Sequence, residues 1–499
     1  MPTDAILAID QGTTNTKALL VNRDGEAVFR ASVAVKLLNP SRHFVEQDPH
    51  ELWQSVLSVI KTCTDHAKTA QVRIEGIAIS NQRETAVAWR PGVKPQALAN
   101  AISWQCRRSS AVCHRLAPHS GLIESIAGLP VDPLNSAGKW AWLLEQLPTL
   151  HNDLLQGDAL LGNIDAWLLA NLTGGQHHAT DHTNASRTGV YSLEASQWSA
   201  QLLDLYGLPT QGLPAIQPSS SQFGVCSSVP VLQNVPVVAM IGDSHAALVG
   251  QGSFTPGSAK ATYGTGSSLM MLTEGLPPHN KSLARTVAWS DAEGIRFALE
   301  GNIAMTGSAV QWVGEFLGLQ NPVEDAVSLA KSVPDAQGLR FVPAMVGLGA
   351  PYWDTEARGL IANLGQSHRA AHLARAAVDA IALQVADVVS CLESSLGNPI
   401  ASLRVDGGAT RNDSLMQLQA DLIGRPVLRS ANEDLSALGT ALLGGLTLGW
   451  WSSTAELEQL PHRTTRFDPS MNDEERDALR DSWQMAVKQT CLKRSETLP

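Results

Sequence analysis

Asp243 is the residue from which chemistry is most easily read. It ends the apolar run Val237-Val238-Ala239-Met240-Ile241-Gly242, and Ser244-His245-Ala246-Ala247-Leu248 follows with the composition of a helix start. That order places one carboxylate at the carboxyl end of a buried strand, beside a helix N-terminus, where α/β sheets form crevices. A carboxylate there can take a proton from an attacking hydroxyl or hold a metal ion. Asp is also a favoured helix cap, so its meaning depends on the company it keeps.

Four further segments supply that company. Asp10-Gln11-Gly12-Thr13-Thr14-Asn15-Thr16-Lys17 ends a first strand in Asp and turns through small and hydroxyl residues. Such a turn lets backbone N–H groups approach an anion, and Asp10 can hold Mg²⁺ through water. It is not a Walker A loop, because GxxxxGK[ST] is missing. Tyr263-Gly264-Thr265-Gly266-Ser267-Ser268 repeats the glycine and hydroxyl turn in the second half of the chain. Two such turns face to face can clamp a polyphosphate. Asp406-Gly407-Gly408-Ala409-Thr410-Arg411-Asn412 is a strand-to-helix turn, open enough for a nucleoside to lie against or simply tight. Asn81-Gln82-Arg83-Glu84-Thr85 sets a forked donor beside an acceptor, and Trp104-Gln105-Cys106-Arg107-Arg108 adds an aromatic wall. Arg, Glu and Trp together suit a polyol or sugar, whose hydroxyl edges and C–H faces they match. A structural ion pair is the plainer reading of Arg83-Glu84.

These segments need elements to hold them. Short apolar runs alternate with helical patterns, which predicts an α/β fold. A meander is expected over 5–10, 17–21 and 26–36, turning at Arg23-Asp24-Gly25, then a helix over 50–69 and strands over 74–80 and 234–241. A second meander is expected near 258–273. A helix follows over 367–396, capped by Ser367 and ended by Gly397, then the strand Leu403–Asp406. Both halves thus begin with a glycine-turned hairpin and later carry a strand ending in Asp. The 499 residues exceed what one core usually serves. Domains are expected over 1–249 and 257–449, with a helical tail over 450–499 and a glycine-rich hinge between Val249 and Gly257. The net charge of −11 argues against a general nucleic-acid binder. No apolar run approaches the ~18 residues of a membrane span, and no signal peptide is seen. Six scattered cysteines without a CxxC pair fit a reducing cytoplasm.

Taken in order, these motifs resemble the FGGY carbohydrate kinases, and among them the glycerol kinases most. Thr183-Asn184-Ala185-Ser186-Arg187-Thr188 and Gly347-Leu348-Gly349-Ala350-Pro351-Tyr352-Trp353-Asp354 extend the likeness, which runs from Ile9 to about Trp450. The resemblance implies two actin-like domains of the ribonuclease-H kind, with ATP and acceptor in the cleft between them. It implies transfer of the ATP γ-phosphoryl group to a hydroxyl, with Mg²⁺. By position, Asp243 corresponds to the catalytic base, and Asp10 and Asp243 to metal-associated carboxylates. Arg83, Glu84, Trp104 and Asp243 match acceptor positions. Gly12, Thr13, Thr14, Lys17, Thr265, Gly307, Gln311, Gly408 and Asn412 match the nucleotide site. A homodimer is implied on the same ground.

The departures from glycerol kinases concern the acceptor. Leu134 stands where they carry a Tyr, Ser244 where they carry a Gln, and Ser268 where they carry a Phe; His245 follows Ser244, and Lys17 replaces an Arg. The charged clamp survives while its walls shrink, and Ser244, His245 and Ser268 offer extra polar contacts. The expected acceptor is therefore a four- or five-carbon polyol or sugar, with glycerol as the alternative. A sugar sensor without catalysis is the further alternative, opposed by intact Asp10, Arg83, Glu84 and Asp243. A chaperone built on the same fold would need an appended domain, for which about 50 residues past the second domain are too few.

Overall fold

The structure is a computed structural model describing residues 3–41 and 43–491. Two mixed sheets organise it. The first has six strands, in the order Gly224–Val225, Pro236–Gly242, Val72–Asn81, Thr3–Gln11, Asn15–Asn22, Ala27–Ala34. The second has seven, in the order Ala284–Asp291, Gly294–Ile303, Ser267–Thr273, Ala259–Tyr263, Leu403–Asp406, Val427–Ser430, Thr464–Phe467. In the first a three-stranded antiparallel meander, and in the second a run of four antiparallel strands, adjoins two parallel strands. Thr3–Gln11 runs parallel to Val72–Asn81, and that strand to Pro236–Gly242. Likewise Ala259–Tyr263 runs parallel to Leu403–Asp406, and that strand to Val427–Ser430. The same plan twice is the expected pair of actin-like, ribonuclease-H-like halves.

The strands read as unbroken apolar runs because both faces of the first sheet are covered. Ala5, Leu7, Ile9, Leu20, Ile77 and Ile79 share a core with helices Pro49–Ala70 and Ile164–Leu172. The alternate residues Ile6, Ala8, Leu19, Val21 and Ala78 pack with helices Asp243–Gly250 and Leu435–Thr447. Those two helices cross with their backbones in contact. A Cβ on Gly439 would lie 1.9 Å from the Ala246 carbonyl oxygen, and one on Gly250 2.3 Å from that of Leu435. Only glycine permits that approach.

The expected helix over 50–69 is Pro49–Ala70, with the Asp48 side chain accepting from the His50 N–H. The helix expected over 367–396 is Ala370–Leu396, and Gly397 ends it at φ 74°. Ser367 is not its cap. His368 Nδ1 instead accepts from the Gly365 N–H, which closes a turn before the helix, and His372 Nδ1 accepts the Arg369 N–H at its start. Residues 450–499 hold more than helix. Thr464–Phe467 is the edge strand beside Val427–Ser430, and helix Asp473–Thr490 buries Trp483, Ala486 and Val487 in the core of the second sheet. Among the described residues no helix is long and apolar enough to cross a membrane.

Candidate active site

Strand register gathers the carboxylates. Asp10 pairs with Ser80, and both Gln11 and Gly242 pair with Asn81. Asp10, the turn Gln82–Thr85 and Asp243 therefore leave the same edge of three adjacent strands. Ser80 Oγ donates to Asp10 Oδ1 at 2.8 Å. Glu84 sits at φ 58°, in the left-handed region, which costs a non-glycine residue ~1–2 kcal/mol. Lys139 Nζ and Ser136 Oγ hold its carbonyl oxygen at 3.1 and 3.3 Å. Such strain persists where surroundings over-determine it, and functional sites are where it clusters.

A buried relay of charge lies beside Asp243. Arg83 Nη1 donates to Glu300 Oε1 at 2.8 Å, and Arg83 Nε stands 3.5 Å from Asp243 Oδ1. Arg187 joins Glu300 Oε2 at 2.9 Å and Glu84 Oε1 at 2.7 Å. Burial opposes ionisation of Glu300, yet Arg187 and Arg83 outweigh it and hold its carboxyl well below the usual range. Every charge in this relay is matched, the condition under which buried ions are tolerated. Asp243 itself keeps 36% of its side chain exposed. Trp104 is half-buried and donates through Nε1 to Thr13 Oγ1 at 2.9 Å. Leu134 is half-buried as well, and its carbonyl oxygen accepts from the same Lys139 Nζ that holds Glu84.

Three residues expected at the acceptor wall have distinct surroundings. Ser244 Oγ and Ser268 Oγ bond each other at 2.9 Å, and Ser268 Oγ donates to Glu300 Oε1 at 3.0 Å. His245 is fully buried and meets Thr286 Oγ1 at 3.2 Å through Nε2. Burial, with Arg83 nearby, lowers its pKa well below 6.5, so the ring is neutral.

The other candidates sit on glycine turns. Gly12 N–H closes its turn on the Asn15 carbonyl oxygen at 2.9 Å, with Thr14 exposed at the tip. Gly264 and Thr265 are exposed, and the N–H of Gly307 meets the Gly264 carbonyl oxygen at 3.1 Å. Gly407, at φ 99°, packs on Tyr263: a Cβ would fall 2.3 Å from its carbonyl oxygen, while around Gly408 the space is open. The turns at Gly264, Gly307 and Gly407 are thus one surface. Asn412 caps helix Asp413–Ile423, and Gln311, exposed on helix Gly307–Phe316, bonds Glu315 Oε1 at 2.9 Å. Lys17 is tied elsewhere, 3.0 Å from Asp434 Oδ1.

Two carboxylates stand out electrically. Burial first, then the nearby Asp243 carboxylate, raises the pKa of Asp10 from 3.8 to about 6. Burial raises Asp243 too, partly offset by Arg83. Among the described residues no group of three or more His, Cys, Asp and Glu gathers as a metal centre.

Comparison with known proteins decides the family. The FGGY carbohydrate kinase N-terminal domain matches residues 5–250 and the C-terminal domain residues 259–448. The chain belongs to the FGGY family of carbohydrate kinases. An apulose kinase of Pectobacterium atrosepticum is 43% identical over 499 residues, covering 99% of each chain. Glycerol kinase 2 of Thermotoga maritima is 40% identical, covering 97% of this chain and 98% of that one. The crystal structure of Plasmodium falciparum glycerol kinase with ADP superposes with a TM-score of 0.91 at 31% identity, over 99% of each chain. This FGGY kinase is accordingly an ATP-using phosphotransferase with an alcohol group as acceptor.

Several residues of its site escaped the reading of the sequence. Arg187 and Glu300 complete the charge relay, and Lys260 and Lys139 are fully buried around it. A signal was present for two. Glu300 follows the buried pair Ala298-Leu299 and Lys260 stands between Ala259 and Ala261, each a charge beside buried strand residues. Such a charge needs a partner brought in by the fold.

Proposed function

We propose that this FGGY kinase phosphorylates a hydroxyl of a four- or five-carbon polyol or sugar in preference to glycerol. One observation carries the reading: the matched relay Arg83–Glu300–Arg187–Glu84 stands beside Asp243 and faces two small hydroxyls, Ser244 and Ser268. A wall of two serines leaves room for a longer acceptor and can bond its additional hydroxyls. The relative named an apulose kinase supports a sugar acceptor. The relatives named glycerol kinases support the second reading, glycerol itself.

In this reading Asp243 accepts the proton of the attacking hydroxyl at its exposed carboxylate. Its raised pKa suits a base that must hold that proton in the transition state. Arg83 and Glu84 orient the acceptor, Trp104 and Leu134 cover its C–H face, and Ser244 and Ser268 select its length. His245, neutral and buried behind them, supports the wall through Thr286. The turns at Gly12-Thr13-Thr14 and Thr265 supply N–H and hydroxyl donors to phosphate. Gly307, Gln311, Gly408 and Asn412 line the nucleoside end, and Lys17 joins them on leaving Asp434. Asp10 and Asp243 fit Mg²⁺, since burial raises both carboxylates, and the Asp243 charge raises Asp10 further, a cost that a cation relieves. Mg²⁺ held there would neutralise charge on the transferring phosphoryl group. A cytoplasmic location belongs to the proposal, supported by six free cysteines; a homodimer has only the family likeness behind it.

The test is the rate of ADP release over glycerol, erythritol, xylitol and ketopentoses. The proposal expects the highest kcat/KM on a four- or five-carbon acceptor. A clear preference for glycerol would instead establish the second reading. Ser268→Phe should shift the preference toward glycerol by narrowing the wall.

A further inference from the structure

Lys260 is wholly buried on strand Ala259–Tyr263, at the junction of the two halves. A buried ammonium is costly unless its donors are met, and its hydrogen-bond partners here are hydroxyls rather than carboxylates. Nζ donates to Ser244 Oγ at 2.6 Å and to Thr262 Oγ1 at 3.0 Å. Each hydroxyl passes the contact on. Thr262 Oγ1 donates to Asp406 Oδ1 at 2.7 Å, and Gln251 Nε2 reaches the same oxygen at 2.9 Å. Asp406 is the last residue before the Gly407-Gly408 turn. In the other direction Ser244 Oγ bonds Ser268 Oγ at 2.9 Å, Ser268 reaches Glu300 at 3.0 Å, and Glu300 holds Arg83 at 2.8 Å. One unbroken, partly buried chain therefore runs from the nucleotide turn to the acceptor clamp, with Lys260 at its centre.

Ser244 stands on the first turn of the helix that leaves the first sheet, while Lys260 and Thr262 belong to the second. Strand register sets Thr262 opposite Asp406, so the Lys260–Thr262–Asp406 segment is held by backbone pairing. The Lys260–Ser244 bond has no such support. It is a side-chain bond between halves that must shut together around ATP for water to be excluded. Burial also lowers the lysine pKa to about 8, and the charges it faces through space are Asp406, Arg83, Glu300 and Asp243. A core methionine could fill the same volume without that desolvation, so the ammonium is retained for its bonds.

We infer that Lys260 is a positioning residue that couples the nucleotide turn at Asp406 to the acceptor clamp at Arg83, through Thr262 on one side and Ser244 on the other. The inference rests on the kinase reading above. It predicts that a nucleotide bound at the turn tightens acceptor binding, and that the gain passes through Lys260.

The experiment measures acceptor affinity by calorimetry, with and without a non-hydrolysable ATP analogue and Mg²⁺, using the best acceptor from the substrate survey. The full-length wild type should bind acceptor about 5- to 150-fold more tightly with the analogue, the usual span of such coupling. Thr262→Val keeps the shape and removes the link to Asp406. It should reduce the factor to near one while leaving acceptor affinity without nucleotide close to that of the wild type. Lys260→Met should do the same and lower kcat more than it raises either KM; Lys260→Arg should restore part of the coupling. A merely structural lysine would lower the melting temperature and leave the factor intact. Coupling unchanged in Thr262→Val, or absent from the wild type, overturns the inference; Thr262→Val decides alone if Lys260→Met fails to fold. An enzyme that turns over normally without coupling refutes only this inference, whereas one that phosphorylates no polyol or sugar refutes the reading beneath it.

Discussion

The acceptor clamp and the nucleotide turns are built from opposite materials. Arg83, Glu84, Arg187 and Glu300 are long charged side chains, almost fully buried, each neutralised by the next. The turns at Gly264, Gly307 and Gly407 are nearly bare backbone, exposed at Gly264 and Gly407 and shaped by glycine contacts. A backbone surface offers N–H donors whose identity no side chain can alter, which suits a ligand that does not vary. A side-chain clamp can be rebuilt one residue at a time, which suits an acceptor that does. The contrast predicts that damage to one region appears in catalysis and folding, and damage to the other chiefly in nucleotide affinity.

Four changes would break or sharpen that contrast. Asp243→Asn strikes hardest: kcat should fall by about 10²–10⁴, the weight of one general base, while the acceptor still binds in calorimetry. Glu300→Gln leaves Arg83 and Arg187 short of a buried counter-charge. It should cost about 3–5 kcal/mol in denaturant unfolding, as for other broken buried pairs, and raise the acceptor KM. Gly407→Ala forces a methyl toward the Tyr263 carbonyl oxygen at φ 99°. The strain of ~1–3 kcal/mol should appear as about a tenfold higher KM for ATP, with a smaller rise in the acceptor KM at saturating ATP. An equal effect on both substrates would erase the distinction.

The smallest effect is one of pH. The folded-state pKa of Asp10, about 6, exceeds its ordinary 3.8. The folded state therefore holds that proton more tightly than the unfolded chain does. The stability so gained is full below pH 3.8 and is lost as pH rises through about 6. Asp10→Asn removes this loss, so above that pH and without Mg²⁺ the variant should melt a few degrees higher than the wild type. A variant that melts lower would show that Asp10 is not strained by its neighbours.

Legibility in the sequence followed the same division. Glycine turns are local, so Gly12-Thr13-Thr14, Gly264-Thr265 and Gly407-Gly408 could be read directly, as could strands that end in Asp. The charge relay is not local. Arg83 meets Glu300 only after the two sheets have come together, and Glu84 meets Arg187 only after the first half has folded. The serines at the acceptor wall were legible as small residues, but their bond to each other and to Lys260 was not. His245 misled by its position: one residue past Ser244 on a helix, its side chain turns from the cleft into the core, toward Thr286. Ser367 misled because a histidine three residues into the helix did the capping instead.

The glycine contacts between helices Asp243–Gly250 and Leu435–Thr447 make a bearing. Two rods held at backbone distance can swivel about their crossing, but there is no slack for one to slide over the other. Any opening and closing about this crossing would then be a turning motion, returning the jaws to the same bite. A methyl at Gly439, 1.9 Å from the Ala246 carbonyl oxygen, would act as a shim: the jaws would stand ajar, water would reach the γ-phosphate, and the kinase would spend ATP on nothing.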